Sequence, residues 1–159
     1  MTQSNFERMI QLADDVFATK QDPNQLDVDE LVIERLLQID PNSVSEFDDG
    51  NGPVAWLIII PSTNELMQQF VKKEISEKEL FLKTEIGENY ESVYLCSGLV
   101  LPECRRKGIT KELAINAMAE IRKRHEIKSL VAWPFTEEGN LASEDLARSL
   151  ALPLLKRQS

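Results

Sequence analysis

The sequence predicts an α/β (α+β) fold with a mixed central sheet flanked by helices. Three observations carry this. The stretches Ser43 to Phe47 and Val54 to Ile60, separated by Asp48-Asp49-Gly50-Asn51-Gly52, read as a β-hairpin. A β-rich run around Ser92–Leu99, a helical pattern from Lys111 and a second β-rich run, Ile127 to Phe135, follow in that order. Strand, helix, strand makes the two strands parallel through a right-handed crossover. Helical periodicity fills the chain ahead of the hairpin. The 159 residues suffice for one domain with a real core, divided into a helical region at 1–42 and a sheet core at 43–159.

Taken in order, Ser4-Asn5-Phe6-Glu7 is a capping box, and Phe6, Met9, Ile10, Ala13, Val16 and Phe17 recur at helical spacing, so a helix runs from about 5 to 19. Asp22-Pro23-Asn24 breaks it. Asp27-Val28-Asp29-Glu30 starts a second helix with Leu31, Val32, Leu36 and Ile39 as its apolar stripe, ended by Pro41. Val54 to Ile60 is almost wholly apolar, as a central strand should be, and Pro61 is expected to stop it. Asn64 to Lys73 is helical, with Leu66, Met67, Phe70 and Val71 on one side. Ser76-Glu77-Lys78-Glu79 caps a short helix to about Thr84. After a turn at Gly87 and Asn89 come a strand over about 91–101 and a helix over about 110–125, with Leu113, Ala114, Ala117, Met118 and Ile121 facing inward. Arg122, Lys123, Arg124 and His125 fill its last turn, where cations suit the negative end of the dipole. Glu138-Gly139-Asn140 leads to a helix through Leu150, and Ala151 to Lys156 adds a short strand. Trp56 and Trp133 fall within strands and are expected in the core.

Composition narrows the function. No apolar run approaches about 18 residues, so no transmembrane helix is expected. The opening Met1-Thr2-Gln3-Ser4-Asn5 lacks a charged-then-apolar leader, which points to the cytoplasm. Cys96 in a strand and Cys104 in the following loop lie roughly 20 Å or more apart along an extended chain, too far to bridge. With one histidine, His125, and no Cys-x-x-Cys, no metal site is expected. The net charge of −9 is uneven: three basic and twelve acidic residues precede position 53, and fifteen of each follow. Nucleic acid should be repelled. The acidic first third is either a solvated surface or a face for a cationic acceptor.

Eight of those later basic residues fall between Arg105 and Lys128. The most informative stretch opens this segment: Val100-Leu101-Pro102-Glu103-Cys104-Arg105-Arg106-Lys107-Gly108-Ile109-Thr110. A strand, a basic turn with a glycine and a helix place backbone N–H groups at the positive end of a dipole beside three cations. This is an anion site suited to phosphate. Gly108 lets the backbone approach a phosphate with no Cβ in the way.

The spacing resembles the GNAT N-acyltransferases, which carry a strand, V-x-P, then [RQ]-x-x-G-x-[GA] opening a helix. Val100, Pro102, Arg105 and Gly108 match, whereas Thr110 stands where Gly or Ala is usual. The resemblance spans about residues 53–152. It implies a mostly antiparallel mixed sheet, with the N-terminal helices as additions. It further implies acetyl-CoA or another acyl-CoA as co-substrate, and transfer of the acyl group to a small-molecule or protein amine. Leu99, Val100 and Leu101 would bind the thioester end along a strand splayed from its parallel neighbour. Arg105, Arg106, Lys107, Gly108, Ile109 and Thr110 would wrap the pyrophosphate. Gly98 marks either a bulge that frees donors or a close packing contact. Thr110 either clashes or offers its hydroxyl to phosphate.

The last helix departs from the family pattern N-x-x-A-x-x-L-Y. Asn140 and Leu146 match, and Asn140 is carried over as a binding residue, but Ala147 replaces the tyrosine that serves as general acid. The strand position that often holds a glutamate base falls near Tyr94, with Glu91 close by, so these two are the candidate catalytic residues. Cys96 has no nearby histidine to activate it as a nucleophile. Two readings follow: an N-acyltransferase, or a catalytically impaired member that binds coenzyme A or protein partners. A P-loop is disfavoured because Lys107 precedes Gly108 and the first glycine is missing. Oligomeric state and acceptor are left open, the acceptor pocket being expected from segments within 1–90.

Overall fold

A computed structural model describes residues 3–19, 26 and 28–158, without the side chains of 16–19. The expected break at Asp22-Pro23-Asn24, Asp27 and the side chains of Val16 and Phe17 lie outside the described residues. The elements, in chain order, are α1 (Asn5–Thr19), α2 (Glu30–Ile39), β1 (Val44–Asp48), β2 (Pro53–Ser62), α3 (Asn64–Val71), α4 (Glu77–Lys83), β3 (Ser92–Val100), α5 (Ile109–Arg124), β4 (Ser129–Ala132), α6 (Glu137–Leu150) and β5 (Leu154–Lys156). A single 3₁₀ turn, Pro102–Cys104, lies between β3 and α5.

The sheet runs β1-β2-β3-β4-β5. β1–β2 and β2–β3 are antiparallel and carry the longer ladders, while β3–β4 and β4–β5 are parallel. The mixed, mostly antiparallel sheet is therefore as expected. Two facts place helices on opposite faces. The Phe6 ring of α1 packs edge-on against Trp56, at 6.2 Å between centroids. A Cβ at Gly98 would meet Leu57 and, on α5, Thr110. Successive strand residues point to opposite faces, so α1 and α5 sandwich the sheet.

Local signals act as read. Ser4 Oγ accepts the Glu7 N–H and donates to its carboxylate. Asp29 caps α2, and Ser76 with Glu79 forms a complete capping box on α4; Thr63, which the sequence reading did not single out, caps α3. The hairpin turn is held by Asp48, which accepts from the N–H groups of Gly50 and Gly52.

Four expectations are corrected. Leu31 is not part of the buried stripe of α2: it is 74% exposed, while Leu36 and Ile39 are buried. Pro61 does not stop β2, which continues to Ser62. Ile59 donates to Ser43 C=O just before β1 begins, so two residues on the Pro61 nitrogen faces a side where no strand needs its N–H. Glu138-Gly139-Asn140 lies inside α6, which Thr136 caps one turn earlier. The strand expected over 127–135 is confined to Ser129–Ala132.

Trp133 is buried as expected; Trp56 is only partly so and donates Nε1–H to Glu46. No disulfide joins Cys96 and Cys104. No helix among the described residues is long and apolar enough to cross a membrane.

Candidate active site

The site begins at a defect in the ladder. β3 pairs with β4 only from Ser92 to Leu95. On its other side the register to β2 shifts between Ile58 and Ile59, whose partners are Ser97 and Leu95, leaving Cys96 as the extra residue. The bulge is thus at Cys96, where the parallel ladder ends. Gly98 serves the other role considered for it, a close contact: its absent Cβ makes room for Thr110 Cγ2, which would lie 3.0 Å away.

Beyond the bulge, β3 has β2 on one side and no strand on the other. Leu101 N–H donates to Val54 C=O, and Leu99 faces Trp56 in the same ladder. Antiparallel alternation then turns the Leu99 N–H toward β2 and the Gly98 and Val100 N–H groups to the open side. Arg105 Nε approaches from that side and donates to Val100 C=O at 3.2 Å.

The basic turn faces the same opening. Gly108 is the N-cap of α5 in a left-handed conformation, φ 73°, and no side chain caps the helix. The first backbone bond of the helix is Glu112 N–H to Gly108 C=O, so the N–H groups of Ile109, Thr110 and Lys111 have no acceptor among the described residues. Arg106 is also left-handed, φ 64°, a conformation uncommon for a residue with a Cβ. Strained backbone of this kind concentrates at ligand clamps. A Cβ at Gly108 would meet nothing within 4 Å, so space lies above the turn. Together these groups line a cleft of about 300 Å³.

Of the residues expected to bind, Leu99, Val100, Arg105, Arg106, Gly108, Ile109 and Thr110 line this cleft, joined by Gly98. Leu101, Lys107 and Asn140 stand outside its lining; Leu101 is buried in the small core under α1, with Met9, Val54 and Leu99. The sequence reading missed Leu12, Cys104 and Glu138, also in the lining. Leu12 did not belong to the apolar stripe read for the first helix. Glu103, on the 3₁₀ turn, is ion-paired with Arg8 of α1, tying that helix to the loop.

The candidate catalytic pair lies elsewhere. Tyr94 is 1% exposed, stacks edge-on against Phe70 and donates its hydroxyl to Glu77 at 2.5 Å. Burial, reinforced by the Glu77 carboxylate, pushes the phenol well above its ordinary range, so it remains a donor committed to Glu77. Glu77 also accepts from Leu26 N–H at 2.6 Å. Glu91 precedes β3 and accepts weakly from Asn64 N–H at 3.4 Å. Neither Tyr94 nor Glu91 lines the cleft. Ala147 is buried in the main core. His125 ends α5 with Nδ1 accepting from Tyr90 N–H, the structural place its position suggested.

A second, larger groove of about 670 Å³ shares the lining residue Leu99 with the cleft. It is walled by α1, the start of α2 and strands β1 to β3, and Trp56 lies in its floor.

The chain matches the Acetyltransferase (GNAT) family over residues 11–151. That match starts well before residue 53, where the motif resemblance begins, so most of α1 and all of α2 are part of the matched region rather than additions to it. No curated protein matches the sequence. Among solved structures, the aminoglycoside acetyltransferase meta-AAC0020 from an uncultured soil metagenomic sample, in complex with trehalose, is similar with a TM-score of 0.50 at 18% identity, over 91% of this chain and 77% of that one. The same protein in complex with sisomicin gives 0.48 at 20% identity, with the same coverage of 91% and 77%. The aminoglycoside antibiotic 6'-N-acetyltransferase AAC(6')-IG from Acinetobacter haemolyticus gives 0.38 at 14% identity, over 79% of this chain and 87% of that one. At 18% identity, the likeness to the trehalose complex is one of fold.

Proposed function

This chain belongs to the Acetyltransferase (GNAT) family, and from that premise we propose that it transfers an acyl group, acetyl by preference, from an acyl-CoA to an amine. The observation that carries this reading is the convergence of two donor sets on one cleft: the open-side N–H groups of Gly98 and Val100, and the uncapped start of α5 with Arg105 and Arg106.

The co-substrate supplies an acyl group activated as a thioester, with phosphates at its other end. The residues fit those two demands separately. Anionic phosphate suits the free N–H groups of Ile109, Thr110 and Lys111, the positive end of α5 and the cationic side chains of the turn. Gly108 lets the backbone come close. The Val100 and Gly98 N–H groups are suited to a carbonyl oxygen and to the negative charge that develops on it as the amine attacks. Thr110 turns its methyl toward Gly98, so its hydroxyl is directed away from that contact.

Proton transfer is the step with least side-chain support. Ala147 replaces the family's tyrosine, and Tyr94 is committed to Glu77. As the C–N bond forms and the thioester C–S bond breaks, the amine would therefore lose its proton to water and the departing CoA thiolate would take one from water. Without a positioned acid or base, turnover should be slower by about 10²–10⁴ than with one. The same two facts favour the second reading, a member that binds the coenzyme and signals through protein contacts.

Titration calorimetry with acetyl-CoA separates these from a fold that has lost its ligand. Micromolar binding, weakened about tenfold or more by Arg105→Glu, supports the site. Absence of binding refutes it. Binding with no turnover across an amine panel selects the second reading.

A further inference from the structure

The floor of the larger groove is set by register. Glu46 pairs with Trp56, and Trp56 with Leu99; Val44 pairs with Ile58, and Ile58 with Ser97. These two rows cross β1, β2 and β3 on the face that α1 covers. Phe6 and Ile10 of α1 and Ile33 of α2 extend the apolar wall. The volume of about 670 Å³ is that of a small-molecule site.

The charges on this apolar groove have one sign. Asp14, Asp29, Glu30, Glu34 and Glu46 line it, and among the described residues no lysine or arginine does. None of the five is ion-paired among the described residues. Asp29 caps α2 and Glu46 holds Trp56 Nε1–H at 2.7 Å, which leaves each with further acceptor capacity. Leu99 lines both the groove and the cleft that carries the Val100 N–H.

We infer that this groove selects small amines that carry at least two positive charges on a compact apolar body. The inference rests on the acyl-transfer reading and names its acceptor class. One amine sits at the Leu99 end, uncharged when it reacts. The other stays protonated among the carboxylates. Strands lie about 4.8 Å apart, so Glu46 is about 10 Å from Leu99 across the sheet, and an extended diamine spans that gap. Carboxylates bordering an apolar wall attract cations and disfavour an anionic tail at the same place. Trp56, with its indole N–H drawn to Glu46, offers a ring face for the alkyl chain or an ammonium.

The test compares hexamethylenediamine, hexylamine and aminocaproate, which share a primary amine on a six-carbon chain and end in an ammonium, a methyl and a carboxylate, with acetyl-CoA as donor. The expected order of kcat/KM is diamine, then monoamine, then the acid, with the diamine ahead of the monoamine by about tenfold or more. Glu34→Gln with Glu46→Gln, both at exposed positions, should bring diamine and monoamine together while acetyl-CoA affinity is unchanged. Equal rates for the three compounds, or preference for a lysine-containing peptide over the diamine, overturn the inference and leave acyl transfer standing. If no compound turns over, tryptophan fluorescence titrated with hexamethylenediamine alone decides. Saturable binding lost in the double variant upholds the groove as a diamine site, and no binding overturns it; the acyl-transfer reading is decided separately by the acetyl-CoA titration with Arg105→Glu.

Discussion

Gly98→Ala tests how α5 is seated at the cleft. The new Cβ would lie 3.0 Å from Thr110 Cγ2 and 3.8 Å from Leu57 Cδ1. The second distance is an ordinary contact. The first is about 0.5–1 Å inside the optimum for two carbons. Thr110 is β-branched and stiff at χ1, and it sits in the first turn of α5, so relief requires the helix start to shift. Overpacking of this kind costs about 1–3 kcal/mol. Against it, replacing glycine by alanine in a strand recovers about 0.5–1 kcal/mol. The net expectation is a destabilisation of about 0–2.5 kcal/mol. In a Thr110→Ala background the opposing methyl is gone, and Gly98→Ala should stabilise by about 0.5–1 kcal/mol. The two sites are therefore coupled by about 1–3 kcal/mol, well above the roughly 0.5 kcal/mol within which independent sites add. Urea unfolding of the wild type, both single variants and the double variant measures this directly. Acetyl-CoA affinity should fall in Gly98→Ala and return in the double variant, because the displaced N–H groups of α5 return with it. A coupling below about 0.5 kcal/mol, or a Gly98→Ala protein more stable than wild type, would refute the proposed seating of the helix.

Two further expectations follow from named contacts. Tyr94→Phe removes a charge-assisted bond to the buried Glu77 and should cost about 1.5–3 kcal/mol in denaturant unfolding, with acetyl-CoA affinity unchanged; unchanged stability with collapsed turnover would instead make Tyr94 catalytic. Arg8 holds the Glu103 carboxyl below its usual range, chiefly through their hydrogen bond. A carboxyl lowered in the folded state adds stability above its ordinary pKa of about 4.3, and that contribution is lost as pH falls through the lowered value. The stability gap between wild type and Arg8→Gln should thus be present near about pH 6 and close in acid, and a gap that widens in acid contradicts the pairing.

Much of the fold was legible because its signals are local. The caps at Ser4, Asp29 and Ser76 each accept from a backbone N–H three residues on, so their chemistry is contained in four adjacent positions. The basic turn was legible for the same reason. Pro61 was misread because its tolerance depends on where a neighbouring strand ends, and Leu31 because a stripe of this width has two sides and only packing chooses between them. Tyr94 sits where a spacing rule pointed, but the rule carried no information about Glu77, which approaches from a helix 17 residues earlier.

The sequence by itself determined the order and kind of the elements, the basic turn from Arg105 to Thr110, and an excess of carboxylates before residue 53. Hydrogen bonds between near neighbours and the periods of helix and strand act within a few residues, so adjacent letters encode them. Only the tertiary structure decided which N–H groups of β3 are open, that the bulge falls at Cys96 while Gly98 accommodates Thr110, and which carboxylates gather around Trp56. Those outcomes depend on register between strands and on helices docking from distant parts of the chain. The free energy that selects them is the packing of the assembled core, which no single segment contains.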